Sequence, residues 1–412
     1  MADTLDRRIV VTGIGMVTPV GVDRDTTWQS LREGKSGIVV LDETRDDGHV
    51  CGEIAGEIPD FRPATGTEGF DRYRQIAVAA AREAVADARL EGDLLRDAGC
   101  VFSSSKGGIE ALLTANRGWR RERIPYPPDT LPRLFLSAAG TTVAADLNLR
   151  GPLLCPVAAC ATGLLCLERA ASLILDGACT TAIAGGTDSS LLEPVFAGFR
   201  RLRALAEAPG EDPAAVCRPF DMGRTGFVLA EGAGVLVVEE YEQARDRGAT
   251  IYGEIAAYAS GADGWHETAL DADHSVLPAL IHLALRRGGL KPEDIDYINA
   301  HGTGTHQNDL IESKSLKKAF GDAVGRISIS STKSMIGHLL AGAAIVEAAV
   351  VFLAMRDGFV PPTINLTNPD PDCDLDFTPN VGRSRPINAA LNISSGFGGH
   401  AAVLAAKQVD GP

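Results

Sequence analysis

Hydrophobic and polar residues alternate with two different periods along this chain. Short apolar runs of strand length are "RRIVVTGIG" (7–15), "AGCVFSSS" (98–105), "TTAIAGG" (180–186), "GAGVLVVEE" (232–240), "IDYINAHGTG" (295–304), "ISISSTKS" (327–334), "AALNISSG" (389–396) and "HAAVLAAK" (400–407). Between them apolar residues recur at helical spacing, most clearly in "RQIAVAAAREAVADA" (74–88), "GLLCLERAASLIL" (163–175), "LPALIHLALRRGG" (277–289) and "IVEAAVVFLAM" (345–355). The 45 glycines fall at the ends of these runs rather than in low-complexity blocks, the punctuation of an α/β protein with tight turns.

The order of the pieces repeats. In the first half the helix "AAREAVADARL" leads through "EGDLLRDAG" to "CVFSSS", and in the second "LIHLALRRGGL" leads through "KPEDID" to "YINAHGTG". Next, "CPVAACATGLLCLERAASLILDG" matches "ISSTKSMIGHLLAGAAIVEAAVVFLAMRDG", both helices closing on Asp-Gly, at Asp176-Gly177 and Asp357-Gly358. "TTAIAGGTDSS" then stands against "NAALNISSGFGG", and "EGAGVLVVEE" against "GGHAAVLAAK". Matched segments in one order predict two copies of a single α/β unit, residues 1–248 and 249–412, joined near "RDRGATIYGEI".

Composition narrows the function classes. A chain of 412 residues with 45% hydrophobic and 23% charged residues is ordinary for a globular protein. The start, "MADTLDRRIV", carries no apolar core of signal-peptide length, so a cytoplasmic protein is expected. The run "MIGHLLAGAAIVEAAVVFLAM" looks membrane-like, but His338 and Glu347 inside it favour a helix buried in protein. Eight cysteines without a CxxC pair suggest reduced thiols rather than disulfides or a zinc ribbon. A net charge of −15 argues against nucleic-acid binding, which rests on cationic side chains.

The candidate chemistry centres on Cys160 in "PVAACATGLL". With "LCPVAA" read as a buried strand and "ATGLLCLERAASLIL" as a helix, the cysteine falls at a helix N-terminus, where unpaired N–H groups and the macrodipole favour a thiolate. Ala158, Ala159, Ala161 and Gly163 leave room for a substrate, although a free cysteine is as readily a small buried hydrophobe. Two of the eight histidines, His301 in "NAHGTGT" and His338 in "KSMIGHLL", fall at equivalent strand ends of the second copy. Together the three residues make a nucleophile with two hydrogen-bond donors or bases. "TGIGMV" lacks the third glycine of a dinucleotide site, so Gly13 and Gly15 read as turn residues. His301, His306 and Asp309 could be written as metal ligands, but a bound metal would occupy the histidine donor, and neither metal nor cofactor is expected.

"VVTGIGMVTPVG", "ACATG", "RPFDMGRTGFVLAEGAGVLVVEE", "YINAHGTGTHQND", "STKSMIGHLL" and "GFGGH" occur in the order found in β-ketoacyl-acyl-carrier-protein synthases, and over nearly the whole chain the sequence resembles this condensing-enzyme family. The resemblance implies a duplicated thiolase-like fold layered α-β-α-β-α, and a Cys-His-His set in place of the Cys-His-Cys set of degradative thiolases. It implies that Cys160 takes the acyl chain as a thioester. His301 and His338 would hydrogen-bond the malonyl thioester as CO2 leaves, and the backbone N–H groups of Cys160 and Phe397 would form an oxyanion hole.

The same resemblance makes Lys333 a buried orienting cation set against Glu347, with Asp309 and Glu312 in its network. It gives Thr303 and Thr305 to the pantetheine arm, though "GTGT" is equally a plain turn, and Phe397 to a mobile gate. Arg200, Arg201 and Arg203, with Arg120, Arg121 and Arg123, are candidates for gripping an acidic acyl carrier protein; a solvated charged face is the plain alternative. Arg203 matches a family carrier-contact position. Acyl and malonyl carriers are the implied partners, in a homodimer or a heterodimer with a related subunit. Departures occur at Ser395, where elongation enzymes commonly have a second phenylalanine, at "PATGTEG", which lacks the usual basic cluster, and at "SSSKGG" and "FLSAAG" around the acyl pocket. The resemblance implies first an elongating 3-oxoacyl-acyl-carrier-protein synthase of fatty acid synthesis; Ser395 and the docking-loop departure lean toward the alternative, a ketosynthase of a type II polyketide or specialised-lipid pathway. A non-catalytic, chain-length-factor-like subunit is the different-class alternative, disfavoured by the retained Cys160, His301, His338 and Lys333.

Overall fold

The computed structural model describes residues 7–41, 52–207, 210, 212–271 and 275–409, so the extreme N-terminus lies outside it. Ten strands form the central sheet: β1 (Ile9–Val17), β2 (Gly99–Ser103), β3 (Leu153–Leu154), β4 (Thr181–Asp188), β5 (Gly232–Glu240), β6 (Gly253–Ala262), β7 (Tyr297–Asn299), β8 (Ser328–Ser330), β9 (Ala389–Gly396) and β10 (His400–Lys407). Their spatial order is β8-β7-β9-β10-β6-β1-β5-β4-β2-β3. Each strand of the first five has its counterpart among the last five at the mirrored place in this order, which is the duplication expected from the repeated pattern.

The two sets of five meet between β1 and β6 through only two residue pairs, Val10 with Glu254 and Val11 with Gly253. The sheet therefore folds over into two layers. Helices α4 (Thr162–Leu175) and α8 (Ala343–Asp357) lie between them, α8 touching β5 of one layer and β9 and β10 of the other. Outside the first layer, α1 (Arg72–Ala88) covers β1 and β5, and α3 (Ala138–Asp146) packs on α1 and β2. Outside the second, α6 (Leu277–Arg287) covers β6 and β10 and packs on α7 (His306–Phe320). This is the α-β-α-β-α layering.

The central helices explain the membrane-like run. Every residue from Ala343 to Met355 is buried, Glu347 included, so the helix is apolar all round because protein surrounds it. Its end at Gly358 (φ +58) and the end of α4 at Gly177 (φ +73) use the left-handed conformation that glycine adopts freely. Among the described residues no helix is long and apolar enough to cross a membrane.

Two readings of the pattern need correction. β6 is rich in Gly, Ala and Ser and gave no strand signal; its neighbours β1 and β10 impose the extended form. The run before Cys160 is no buried strand: only Leu153 and Leu154 pair, and both are exposed, because β3 is the sheet's edge.

Candidate active site

Cys160 sits in a tight turn, Ala159–Ala161, that runs directly into α4. Ala159 just before it has φ +48, a left-handed conformation that costs a residue with a Cβ roughly 1–2 kcal/mol. Thr162 holds the turn: its hydroxyl accepts from the Ala158 N–H (2.9 Å) and donates to the Ala159 carbonyl (2.7 Å). Across the turn, a Cβ on Gly396 would lie 2.7 Å from the Ala158 oxygen and 3.1 Å from the Cys160 nitrogen, so only glycine lets β9 come this close. Burial pushes the Cys160 thiol up to about 11, while the charges of Lys106 and Lys333 pull it down. Desolvation thus outweighs the thiolate-favouring helix terminus read from the sequence, and at neutral pH the sulfur carries its proton.

The Cys160 Sγ lies 3.0 Å from His338 Nε2. The His301 and His338 rings meet edge to face with centroids 5.6 Å apart. Burial, reinforced by the Lys333 charge, drives both histidines well below the ordinary imidazole value, so both are neutral at pH 7. Their tautomers are held differently. Lys333 Nζ stands 3.4 Å from His301 Nδ1, and a lysine only donates, so that nitrogen accepts and Nε2 carries the proton. The Nδ1 of His338 is buried without a hydrogen-bond partner, so no neighbour pins its proton to either nitrogen.

Lys333 is buried and serves as the hub of this arrangement: it donates to the His301 carbonyl (2.6 Å) and pairs with Glu347 inside the protein. Glu347 and Glu312 are pushed up to about 7 by burial. Glu312 shapes the His301 loop by accepting the N–H groups of His301 (2.7 Å) and Gly302 (2.8 Å). Asp309, raised by burial, accepts from the Phe220 N–H (2.9 Å) and the Gly304 N–H (3.2 Å), with Arg224 Nε 3.5 Å away.

Cys160, His301 and His338 open into one cavity of about 800 Å³, which Thr303, Thr305, Ser395 and Phe397 also line, while Lys333, Glu347, Glu312 and Asp309 stand behind its wall. The Thr303 and Thr305 hydroxyls are 2.9 Å apart. An aromatic chain crosses the cavity: Phe397 to Phe199 (6.3 Å), Phe199 to Phe227 (5.2 Å) and Phe227 to His338 (5.2 Å). Arg203 lies exposed at the cavity rim. Arg200 and Arg201 end the exposed side of α5 (Glu193–Arg201), where Arg200 pairs with Glu53. Arg120 and Arg121, at the end of α2 (Ile109–Glu122), line a separate cavity of about 280 Å³, and Arg123 stacks on Trp119.

Sequence reasoning missed Lys106, Asp188, Phe199, Phe227 and Arg224. Arg224 and Phe227 sit inside the quoted "FDMGRTGF" and could have been assigned from it. Asp188 and Phe199 join the site through partners far along the chain, for which the sequence holds no local signal.

The chain is similar to known proteins over nearly its whole length. Residues 6–244 match the family described as Beta-ketoacyl synthase, N-terminal domain, and residues 252–367 its C-terminal domain. A 3-oxoacyl-[acyl-carrier-protein] synthase 2 from Synechocystis sp. is 39% identical, covering 99% of this chain and 100% of the relative. A protein of the same name from Coxiella burnetii is 39% identical, covering 98% and 99%. Among solved structures, a type II polyketide synthase acyl-carrier protein in complex with its ketosynthase bound to the hexaketide matches with a TM-score of 0.89 and 35% identity, covering 98% of this chain and 100% of that one. A beta-ketoacyl synthase from Burkholderia phymatum matches with a TM-score of 0.89 and 31% identity over the same shares. By its sequence over both halves and by its fold, the chain belongs to the beta-ketoacyl synthase family.

Proposed function

We propose that the chain is a 3-oxoacyl-[acyl-carrier-protein] synthase, an acyltransferase that extends fatty acyl chains by decarboxylative condensation with malonyl carrier. The observation that carries this reading is the Cys160 thiol, 3.0 Å from His338 Nε2 and beside His301, in a cavity large enough for an acyl chain. In the first half-reaction the thiol proton passes to His338 Nε2 as the sulfur attacks the acyl thioester. The carbon–sulfur bond to the carrier breaks, and the departing carrier sulfur takes the proton.

Once Cys160 is acylated its sulfur has no proton to give, and the unpinned His338 ring can carry its own on Nε2. His301 and His338 then donate to the malonyl thioester oxygen, so the electron pair released with CO2 is held as an enolate. Its carbon attacks the acyl-cysteine carbonyl, and the backbone N–H groups of Cys160 and Phe397 hold the resulting oxyanion. Collapse breaks the acyl carbon–sulfur bond, forming the 3-oxoacyl carrier and expelling the Cys160 thiolate, which takes a proton from water. Lys333 acts through His301, fixing its tautomer. Glu347, Glu312 and Asp309 hold that lysine and the His301 loop, Thr303 and Thr305 take the pantetheine arm, and Phe397 gates the acyl cavity.

Arg203 at the rim, with Arg200 and Arg201 beside it, is the docking surface for an acidic acyl carrier protein. The chain works as a homodimer through β3, where Leu153 and Leu154 are exposed on the edge strand of the sheet. Residues 1–248 and 249–412 are its two halves. The seven described cysteines are free thiols, which suits the cytoplasm.

The test is intact-protein mass after mixing with saturated acyl carriers of increasing length. One acyl group gained by the native protein and none by Cys160→Ala is the expected result; no gain with any saturated primer would sink the fatty-acid reading. A second reading, a ketosynthase of a type II polyketide pathway, is favoured by Ser395, which puts a hydroxyl on the cavity wall.

A further inference from the structure

One charged group on the acyl cavity neither donates nor takes a proton in the condensation proposed above. Lys106, in the turn after β2, lines the cavity alongside Cys160, Ile109, Phe199 and Phe397. Its ammonium donates to Ser105 Oγ (3.2 Å) and stands 5.8 Å from the centre of the Phe199 ring. No carboxylate among the described residues forms an ion pair with it. The ammonium reaches Asp188 only through Ser105, whose hydroxyl donates to it (2.6 Å), while the Lys106 backbone N–H donates to the same carboxylate directly (3.3 Å). That carboxylate is also occupied by Ser104 Oγ (2.7 Å) and the Ala341 N–H (2.9 Å).

An ammonium carries three protons, so two remain for the cavity. Solvent can satisfy them while the cavity is open, but an acyl chain that fills it expels that solvent. A saturated chain offers nothing in return, whereas an oxygen carried on the chain offers an acceptor whose bond to a charged donor is among the stronger kinds.

We propose that Lys106 is a specificity residue through which the cavity takes acyl primers bearing an oxygen, as an in-chain carbonyl or a terminal carboxylate, in addition to saturated ones. The inference rests on the acyl-cysteine reading above and names the primer class of that same site. The charge also reaches the reacting centre, since Lys106 holds down both the Cys160 thiol and His338.

The experiment uses carrier-free pantetheine thioesters of one chain length: saturated, with an in-chain carbonyl, and with a terminal carboxylate. The rate of Cys160 acylation is read by intact mass for the native chain, Lys106→Met and Lys106→Gln. The native chain is expected to load the oxygen-bearing primers within about threefold of the saturated one, and Lys106→Met to lower that ratio by about tenfold or more. Lys106→Gln, which keeps a donor without charge, separates the sources: it retains the carbonyl primer and loses the carboxylate. A ratio unmoved in Lys106→Met, or a native chain that loads only the saturated primer, overturns the proposal. The second of these needs no variant to fold. A native chain that loads none of the three overturns the acyl-cysteine reading instead, and this proposal with it.

Discussion

The molecule contains the same strand-to-helix junction twice, and only one copy is open for chemistry. At the first, Ala159 (φ +48) leads through the turn at Cys160 into α4; at the second, Leu340 (φ +51) leads through the turn at Ala341 into α8. The register makes Gly396, at the end of β9, the counterpart of Asp188, at the end of β4. Gly396 lies against the Cys160 amide and leaves the space before it empty, whereas Asp188 fills the matching space and accepts the Ala341 N–H at 2.9 Å. One backbone design thus yields a pocket facing a turn amide at each junction: the Asp188 side chain fills one, and the other is free for the oxyanion proposed above.

The second junction is also longer. Leu154 of β3 and Ser330 of β8 hold equivalent places, being paired with Val101 and Asn299, yet five residues separate Leu154 from Cys160 while ten separate Ser330 from Ala341. The extra length carries Lys333 and His338 across to the first junction. The closed copy's junction therefore places its polar groups beside the open one, His338 against Cys160 and Lys333 against His301.

The most severe way to break this contrast is to give the first junction the side chain of the second. Cys160→Ala should lower condensation by at least about a thousandfold, read as product formed from acyl and malonyl carriers, with the fold unchanged. Copying the carboxylate is the next largest change. Gly396→Asp would put an anion on the Cys160 amide, and Cys160 acylation should fall by about 10²–10³, the range for loss of an oxyanion donor.

Opening the closed junction tests the opposite direction. Asp188→Ala strands the Ala341 N–H and the hydroxyls of Ser104 and Ser105, and should cost about 3 kcal/mol in urea unfolding.

The smallest effect is on pH dependence. A histidine held below its unfolded value of about 6.5 binds fewer protons folded than unfolded, so the stability it permits is present above pH 6.5 and is lost as pH falls. His338→Asn should make the loss between pH 6.5 and 5.5 smaller by about 1 kcal/mol. Glu312 and Glu347, raised to about 7, act in the other sense, their contribution fading as pH rises from 4.5 toward 7. Thermal unfolding across that range, native against variant, isolates the histidine.

The duplication was legible in the sequence because strand and helix periods, glycine punctuation and the two Asp-Gly helix ends are local signals. Cys160, His301 and His338 were legible as candidates because each is a reactive residue type at a strand end. The Asp188 contrast was not, although "GGTDSS" stands opposite "SSGFGG" in the repeat: the partners of Asp188 are Ser104, Ser105 and Ala341, far away in the chain. The protonated state of the thiol was also hidden, because a helix terminus can be read from a pattern while desolvation depends on everything packed around it. Lys106 was visible only as an irregularity in "SSSKGG", and it took the cavity wall to give that irregularity a meaning.

The burial of α8 on every side has a consequence for the history of the chain as well as for its folding. A helix that serves as the inner wall of both layers belongs to neither, so severing the chain between residues 248 and 249 would leave each fragment with a raw apolar face. The doubled gene is therefore no longer two interchangeable modules. Neither half can be excised, swapped or expressed as a working unit, and heat should melt the pair in a single cooperative step.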